Sequence, residues 1–260
     1  MFAIYKKEMR SYFINPIGYV YLGIFLALSA LVCCYTTLQS QSYDTSSYFT
    51  YMIFAFIILI PLLTMRSFAE ERKMRTEQML LTAPVSITGM VMGKYLAALT
   101  MFVGTVLISC INFIPLYIIG GEESAAALAG SSQTSVIGPN TAVIVGSLIG
   151  IILLGAAFIA IGVFISSLTE NQLSAAVATI GVIVFMVIIG LVNQIGSEEE
   201  GNRLINNYAV RFVLDWISVL SRFSNFGYGL LDFSALVYYV SLAAIFLLLT
   251  VRVYEKRRWE

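Results

Sequence analysis

The amino-acid sequence predicts an all-α integral membrane protein with six transmembrane helices. Of its 260 residues, 59% are hydrophobic and only 12% are charged, and the mean hydropathy is +0.87. A soluble domain is roughly half apolar and about a quarter charged, so this composition is typical of a membrane protein. The long apolar runs lack the alternation of a membrane β-strand, and a helix satisfies its backbone polar groups internally.

We expect the whole chain, residues 1–260, to form a single transmembrane domain. A membrane-spanning helix needs about 20 mainly apolar residues, and six segments of the chain meet this requirement. The predicted spans cover approximately residues 16–38, 49–65, 95–119, 141–168, 173–192 and 233–251. An even number of spans places both termini on the same side of the membrane.

The distribution of basic residues predicts which side is cytoplasmic. The net charge is zero, but the 15 lysines and arginines are divided unequally between the two sides. Only Arg203, Arg211 and Arg222 fall on the side opposite the termini. Because cytoplasmic segments are enriched in Lys and Arg, we expect both termini and residues 68–86 to be cytoplasmic.

Residues 1–15 have the pattern of a helix lying on the cytoplasmic face of the membrane. An apolar stripe at helical spacing consists of Phe2, Tyr5, Met9, Tyr12 and Phe13. Basic residues between them can meet anionic lipid headgroups. The alternative is a plain positively charged flank of the first span.

Several classes of protein are excluded by what the sequence lacks. It contains no histidine, which removes histidine-centred triads and most zinc sites. No predicted span carries a central charged residue, the usual relay of an ion-coupled transporter. The stretch from Gly89 to Tyr95 resembles a phosphate-binding loop, but Tyr95 follows Lys94 where Ser or Thr is required. We therefore expect no enzyme activity and no cofactor, nucleotide or metal bound by this chain.

Charge is concentrated in one cytoplasmic segment, FAEERKMRTEQMLLTAPVS (Phe68–Ser86). As a helix from about Ala69 to Thr82, it would place Glu71 and Arg75 at the i, i+4 spacing of an ion pair. A loop that only sets topology needs basic residues, but it needs neither the acids nor an apolar tip. The pattern therefore favours a docking element for a cytosolic partner over a solvated loop.

The same segment resembles the corresponding loop of type-2 ABC transporter permeases, closest to the gliding-motility-type permeases. The matching motifs are Glu71-Arg72, Arg75-Thr76-Glu77, Leu80-Leu81-Thr82, Pro84-Val85-Ser86 and Gly93-Lys94. The resemblance extends over nearly the whole chain, including the turn SSLTENQLSAA at residues 166–176. Arg75 departs from the family's pattern, in which glycine is common at this position.

The resemblance implies a permease subunit of an ATP-driven exporter in a bacterial inner or plasma membrane. Two permease chains, identical or related, would form the pathway, and cytosolic ABC ATPase subunits would bind ATP and Mg²⁺. The coupling helix that docks on the ATPase would comprise Glu70, Glu71, Arg72, Lys73, Arg75, Thr76, Glu77, Leu80, Leu81, Thr82 and Pro84. Membrane lipids are the other expected partners, and nucleic acid is not expected. The alternative is a non-transport scaffold that recruits a cytosolic protein through residues 68–86.

The external side carries a second amphipathic segment, from Asn202 to Phe223. Its apolar and aromatic residues recur at helical spacing, and aromatic side chains favour the membrane interface. The segment either anchors at the outer interface or, with the FSNFGYG stretch, re-enters the membrane to cap the outer mouth. The candidate outer gate or interface residues are Phe212, Trp216, Phe223 and Phe226. Gly146 and Gly150 in span four permit close helix contact, either within the chain or with a second copy.

Overall fold

A computed structural model describes residues 1–39, 43–76, 86–121, 138–195 and 218–259 of the chain. These residues are helical and contain no strand. The α-helices are α1 (Phe2–Ile14), α2 (Pro16–Cys33), α3 (Ser46–Thr64), α4 (Ala69–Lys73), α5 (Ile87–Ser109), α6 (Thr141–Leu168), α7 (Gln172–Ile195), α8 (Val219–Gly227) and α9 (Phe233–Trp259).

Six helical segments within the described residues are long and apolar enough to cross a membrane, which confirms the predicted fold class. They contain α2, α3, α5, α6, α7 and α9. The third segment begins at Ile87, eight positions earlier than the predicted residue 95. Its start is set by Ser86, whose hydroxyl accepts a hydrogen bond from the Gly89 N–H at 3.2 Å. This is the usual N-cap arrangement, and it places Lys94 inside the helix rather than at its beginning.

Beyond Ser109, helix α5 continues as a longer helical segment that is interrupted once. A 3₁₀ turn at Cys110–Phe113 precedes a further helical stretch at residues 114–121. Pro115 lies just past the turn, and proline has no N–H to donate to the carbonyl of Ile111. Asn112 in the turn donates to the Ser29 hydroxyl of α2 at 2.9 Å, which ties the two spans together within the apolar layer.

Helix α6 forms the centre of the bundle. In the most apolar 18-residue stretch of α6, 67% of the residues are buried, against 28% in the corresponding stretches of α2 and α9. Helix α6 is therefore surrounded by protein. Glycines allow its neighbours to approach closely. A Cβ added at Gly155 would collide with the Phe102 ring of α5, and one added at Gly162 would collide with Thr64 of α3.

Helix α1 packs on the same end of the bundle as α4. Ile4, Met9 and Tyr12 pack against the core, whereas Phe2 and Phe13 are exposed. The predicted apolar stripe is therefore divided between the protein and the surface, because helix α5 covers part of it. Burial and the neighbouring Glu8 carboxylate raise the pKa of Tyr12, which keeps its proton and donates to the Leu63 carbonyl oxygen at 3.3 Å.

Candidate functional site

The candidate site is built around Lys94, a buried lysine in the second turn of α5. Its side chain is 1% exposed, and its ammonium group lies 3.1 Å from a Glu8 oxygen and 3.0 Å from a Glu71 oxygen. It also donates to the Ser67 carbonyl oxygen at 2.6 Å. A lysine ammonium carries three donors, so these three acceptors satisfy it fully. We call Lys94, Glu8, Glu71 and the Ser67 carbonyl the Lys94 cluster.

The charges in and beside this cluster are balanced. Lys7 lies 3.2 Å from the second oxygen of Glu71, so two lysines meet two glutamates. The Lys94 ammonium also sits 4.9 Å from the centre of the Phe68 ring, a cation–π distance. A buried charge is tolerated only when it is paired and hydrogen-bonded, and Lys94 meets both conditions. The cluster joins α1, α4 and α5 at one point.

The connection between α3 and α4 is fastened to α6 and α9 as well. The Ser166 hydroxyl of α6 accepts hydrogen bonds from the Phe68 and Ala69 N–H groups at 3.1 and 3.2 Å. These N–H groups begin α4 and have no partner within the helix, so Ser166 acts as a cap supplied by another span. The Phe68 ring lies 4.8 Å from the Tyr254 ring of α9. Movement of α4 would therefore reach four other helices directly.

Glu70 and Arg72, two other charged residues of α4, also contact residues of the same chain. Glu70 accepts a hydrogen bond from Arg66 at 2.7 Å. Arg72 donates to the Leu168 carbonyl oxygen at 3.1 Å and lies 3.4 Å from a Glu170 oxygen. Two residues predicted to dock on a partner, Glu71 and Arg72, thus fix α4 to other helices of its own bundle, and a third, Glu70, pairs with Arg66 in the connection that leads into α4.

Helix α4 is much shorter than the predicted helix from Ala69 to Thr82. It ends at Lys73, and Arg75 has a left-handed backbone with φ of 56°. The Thr76 N–H donates to the Glu71 carbonyl and the Arg75 N–H to the Arg72 carbonyl, which together form a Schellman motif. The predicted ion pair between Glu71 and Arg75 was wrong, because the chain turns away after Lys73 and Glu71 bonds to lysines instead.

The end of α4 presents a different surface from its beginning. Lys73, Met74 and Arg75 are exposed, Met74 by 68%, and Thr76 is half-buried with its hydroxyl donating to the Glu71 carbonyl. An exposed methionine between two exposed cations suits a protein contact. Five predicted docking residues lie outside the described residues: Glu77, Leu80, Leu81, Thr82 and Pro84.

Sequence reasoning did not identify the residues that hold α4. Glu8, Ser67, Ser166 and Tyr254 were absent from the predicted site, and Lys94 was noted only as part of a motif. One signal was available for Lys94: it is a single lysine followed by a long apolar run, where a charge requires partners. The identity of the partners depends on packing between distant segments.

Helix α8 packs against α6, α7 and α9 at the opposite end of the bundle. Phe223 and Phe226, two predicted outer residues, are buried in the chain, whereas Phe212 and Trp216 lie outside the described residues. A Cβ added at Gly150 would lie 2.9 Å from Phe226, and one at Gly146 would lie 2.9 Å from Gly229. The two glycines of α6 therefore make an intrachain contact.

Helix α8 packs against the sides of α6, α7 and α9 and not across the ends of these helices. It packs on residues 146–150 of α6, about one and a half to two and a half turns inside that helix at 3.6 residues per turn. Tyr239 of α9 donates to the Val219 carbonyl at 2.8 Å, and Leu220 contacts Gly190 of α7. At 1.5 Å per residue, Ser166, which caps α4, lies about 30 Å from Gly146 along α6. The chain thus has a charged end, where α4 is attached, and an opposite end, where Phe223 and Phe226 of α8 pack between other helices. We call the second of these the sealed end.

Comparison with known proteins identifies a family. The model of the family described as "ABC-2 family transporter protein" matches residues 2–259, nearly the whole chain. No curated protein matches the chain.

Proposed function

Since the chain belongs to the ABC-2 transporter family and is a permease subunit of an ABC transporter, we propose that α4 receives the work of ATP hydrolysis. The observation that carries this proposal is the Lys94 cluster, in which one buried ammonium joins α1, α4 and α5. A charge with three fixed acceptors resists separation from any of them, so displacement of α4 displaces the spans.

The proposal divides the charged segment into two parts with different tasks. Lys73, Met74 and Arg75 face away from the bundle and form the described part of the docking surface for the ATPase. Glu70, Glu71 and Arg72 face the bundle and transmit the movement. The predicted docking residues from Glu77 to Pro84 would extend the docking surface.

The assembly that we propose contains two permease chains and two cytosolic ABC ATPase subunits. ATP and Mg²⁺ bind to the ATPase, and this chain supplies no catalytic group. The excess of basic residues at the Lys94 end supports a cytoplasmic location for both termini in a bacterial inner or plasma membrane. The resemblance to type-2 permeases supports export as the direction of transport.

The rival function is a membrane scaffold that recruits a cytosolic protein without transport. A scaffold needs the exposed surface at Lys73–Arg75 but has no use for a rigid connection between α4 and the spans. The Lys94 cluster and the Ser166 cap therefore favour a transporter.

Purification from the native host tests the proposal. We expect an ABC ATPase to purify with the tagged wild-type chain and to be lost from the double variant Lys73→Glu, Arg75→Glu. Arg252→Glu is the matched control, because Arg252 is exposed on α9 and pairs only locally with Glu255. Retention of the ATPase by the double variant would move the docking surface elsewhere. Absence of any ATPase from the wild-type preparation would overturn the proposal in favour of the scaffold.

A further inference from the structure

The sealed end of the chain carries an arginine whose side chain makes no hydrogen bond or ion pair among the described residues. Arg222 of α8 places its guanidinium carbon 4.2 Å from the centre of the Tyr238 ring of α9. Its Nε is buried and has no hydrogen-bond partner. Among the described residues no carboxylate pairs with Arg222. Asp232, in the turn between α8 and α9, accepts hydrogen bonds from Asn225 at 3.1 Å and from the Ser234 N–H at 2.9 Å.

The positive charge of Arg222 is costly unless an anion pairs with it. Helix α8 packs on Gly146 and Gly150, inside the span Thr141–Leu168, and charged residues within a membrane-spanning bundle normally pair with an opposite charge or with backbone carbonyls. The ring of Tyr238 fixes the plane of the guanidinium, and the buried Nε leaves the two terminal nitrogens as the donors that a ligand can reach. A planar pair of donors matches two oxygens of a phosphate group.

The surroundings of Arg222 indicate the source of that phosphate. The turn after α8 and the start of α9 expose large apolar side chains. They are Tyr228, Leu230, Leu231 and Phe233, each more than 60% exposed. Such a surface beside a phosphate receptor, at the end of a membrane-spanning bundle, accommodates a molecule with an anionic head and an acyl chain.

We propose that Arg222 and Tyr238 form a binding site for the phosphate of a membrane phospholipid at the end opposite the Lys94 cluster. The lipid head binds the terminal nitrogens of Arg222, and its acyl chain lies on the apolar surface beside α8. The bound lipid joins α8 to α9 and stabilises the seal at that end. This site is independent of the ATPase and of the identity of the cargo.

Native mass spectrometry of the protein, purified in maltoside detergent with added phosphatidylglycerol, tests the site. We expect the wild-type chain to retain one more phospholipid than Arg222→Gln, with retention reduced by about tenfold or more in the variant. Arg252→Gln, which removes the same charge at the other end, should retain the lipid. Arg222→Lys should retain it weakly, because lysine cannot offer two coplanar donors.

Two further measurements distinguish a bound lipid from a folding defect and from free phosphate. Tyr238→Leu leaves the arginine in place and should still weaken retention, so it serves if Arg222→Gln does not fold. Inorganic phosphate without lipid should stabilise the wild-type chain far less than phosphatidylglycerol. Equal stabilisation by phosphate alone would overturn the assignment to a lipid. Equal lipid retention by wild type and Arg222→Gln would overturn the site itself.

Discussion

Lys94 of α5 lies 3.0 Å from Glu71 of α4, within a cluster that is almost closed to solvent. The two residues belong to different helices, and Glu8 of α1 completes the arrangement from a third. In the mechanism that we propose, this position is the point where a movement of the ATPase enters the membrane domain. The consequences of this relationship can be measured on the purified chain before any substrate is known.

The buried lysine should be a major contributor to stability. Replacing one partner of a buried ion pair costs about 3–5 kcal/mol, because the remaining charge stays buried without compensation. We therefore expect Lys94→Met to lower the thermal unfolding temperature in detergent far more than Lys6→Met, which changes an exposed lysine of α1.

Removing all the charges of the Lys94 cluster should cost less stability than removing the charge of Lys94 alone. The triple variant Glu8→Gln, Glu71→Gln, Lys94→Met leaves no buried unpaired charge, because Lys7, which loses both partners, is 61% exposed. Its unfolding temperature should therefore lie above that of Lys94→Met alone. A triple variant no more stable than the single one would show that Lys94 contributes by packing and not by its charge.

The cap that α6 supplies to α4 gives a second test of attachment. Ser166→Ala removes the acceptor for the Phe68 and Ala69 N–H groups and should cost about 1–3 kcal/mol. Ser174→Ala is the control, because Ser174 is exposed and its hydroxyl donates only within its own turn. Limited proteolysis near residue 75 should be faster in Ser166→Ala than in the control; equal rates would mean that the cap does not hold α4.

The left-handed residue at the end of α4 predicts an unusual stabilising change. Arg75 has φ of 56°, a conformation that favours glycine, so Arg75→Gly should raise stability by roughly 0.5–1 kcal/mol. Lys73→Gly, two residues earlier within the helix, should lower stability by about 1 kcal/mol. Unfolding temperatures that fall equally in both variants would contradict the Schellman turn.

The sealed end should be sensitive to the volume of one residue. Gly150→Ala places a methyl group 2.9 Å from Phe226 and should cost about 1–3 kcal/mol through overpacking. Gly181→Ala on α7 is the matched control, since an added Cβ there meets nothing within 4 Å. Combining Gly150→Ala with Phe226→Leu should recover part of the loss. No difference between the two single variants would show that α8 does not pack on α6.

The sequence carries most of the fold but little of the site. Six apolar runs and the breaks between them indicate the spans, because each run must satisfy its backbone within lipid. The charged segment at residues 68–86 was also recognisable. The division of its charges between bundle and surface was not, since Lys94 meets Glu71 and Glu8 only after three distant segments pack together. The length of α4 depends on the turn at Arg75, which a helical pattern does not reveal.

The most direct test asks whether movement of α4 reaches the spans through the Lys94 cluster, in a variant that still binds the ATPase. A spin label at Tyr228→Cys, an exposed position near the sealed end, reports movement far from α4 in a chain whose native cysteines are replaced. In the purified complex with its ATPase, ATP should change the label's spectrum. The Glu71→Gln complex should retain the ATPase and hydrolyse ATP, yet leave the spectrum unchanged. A full ATP-dependent change in that variant would contradict transmission through the Lys94 cluster.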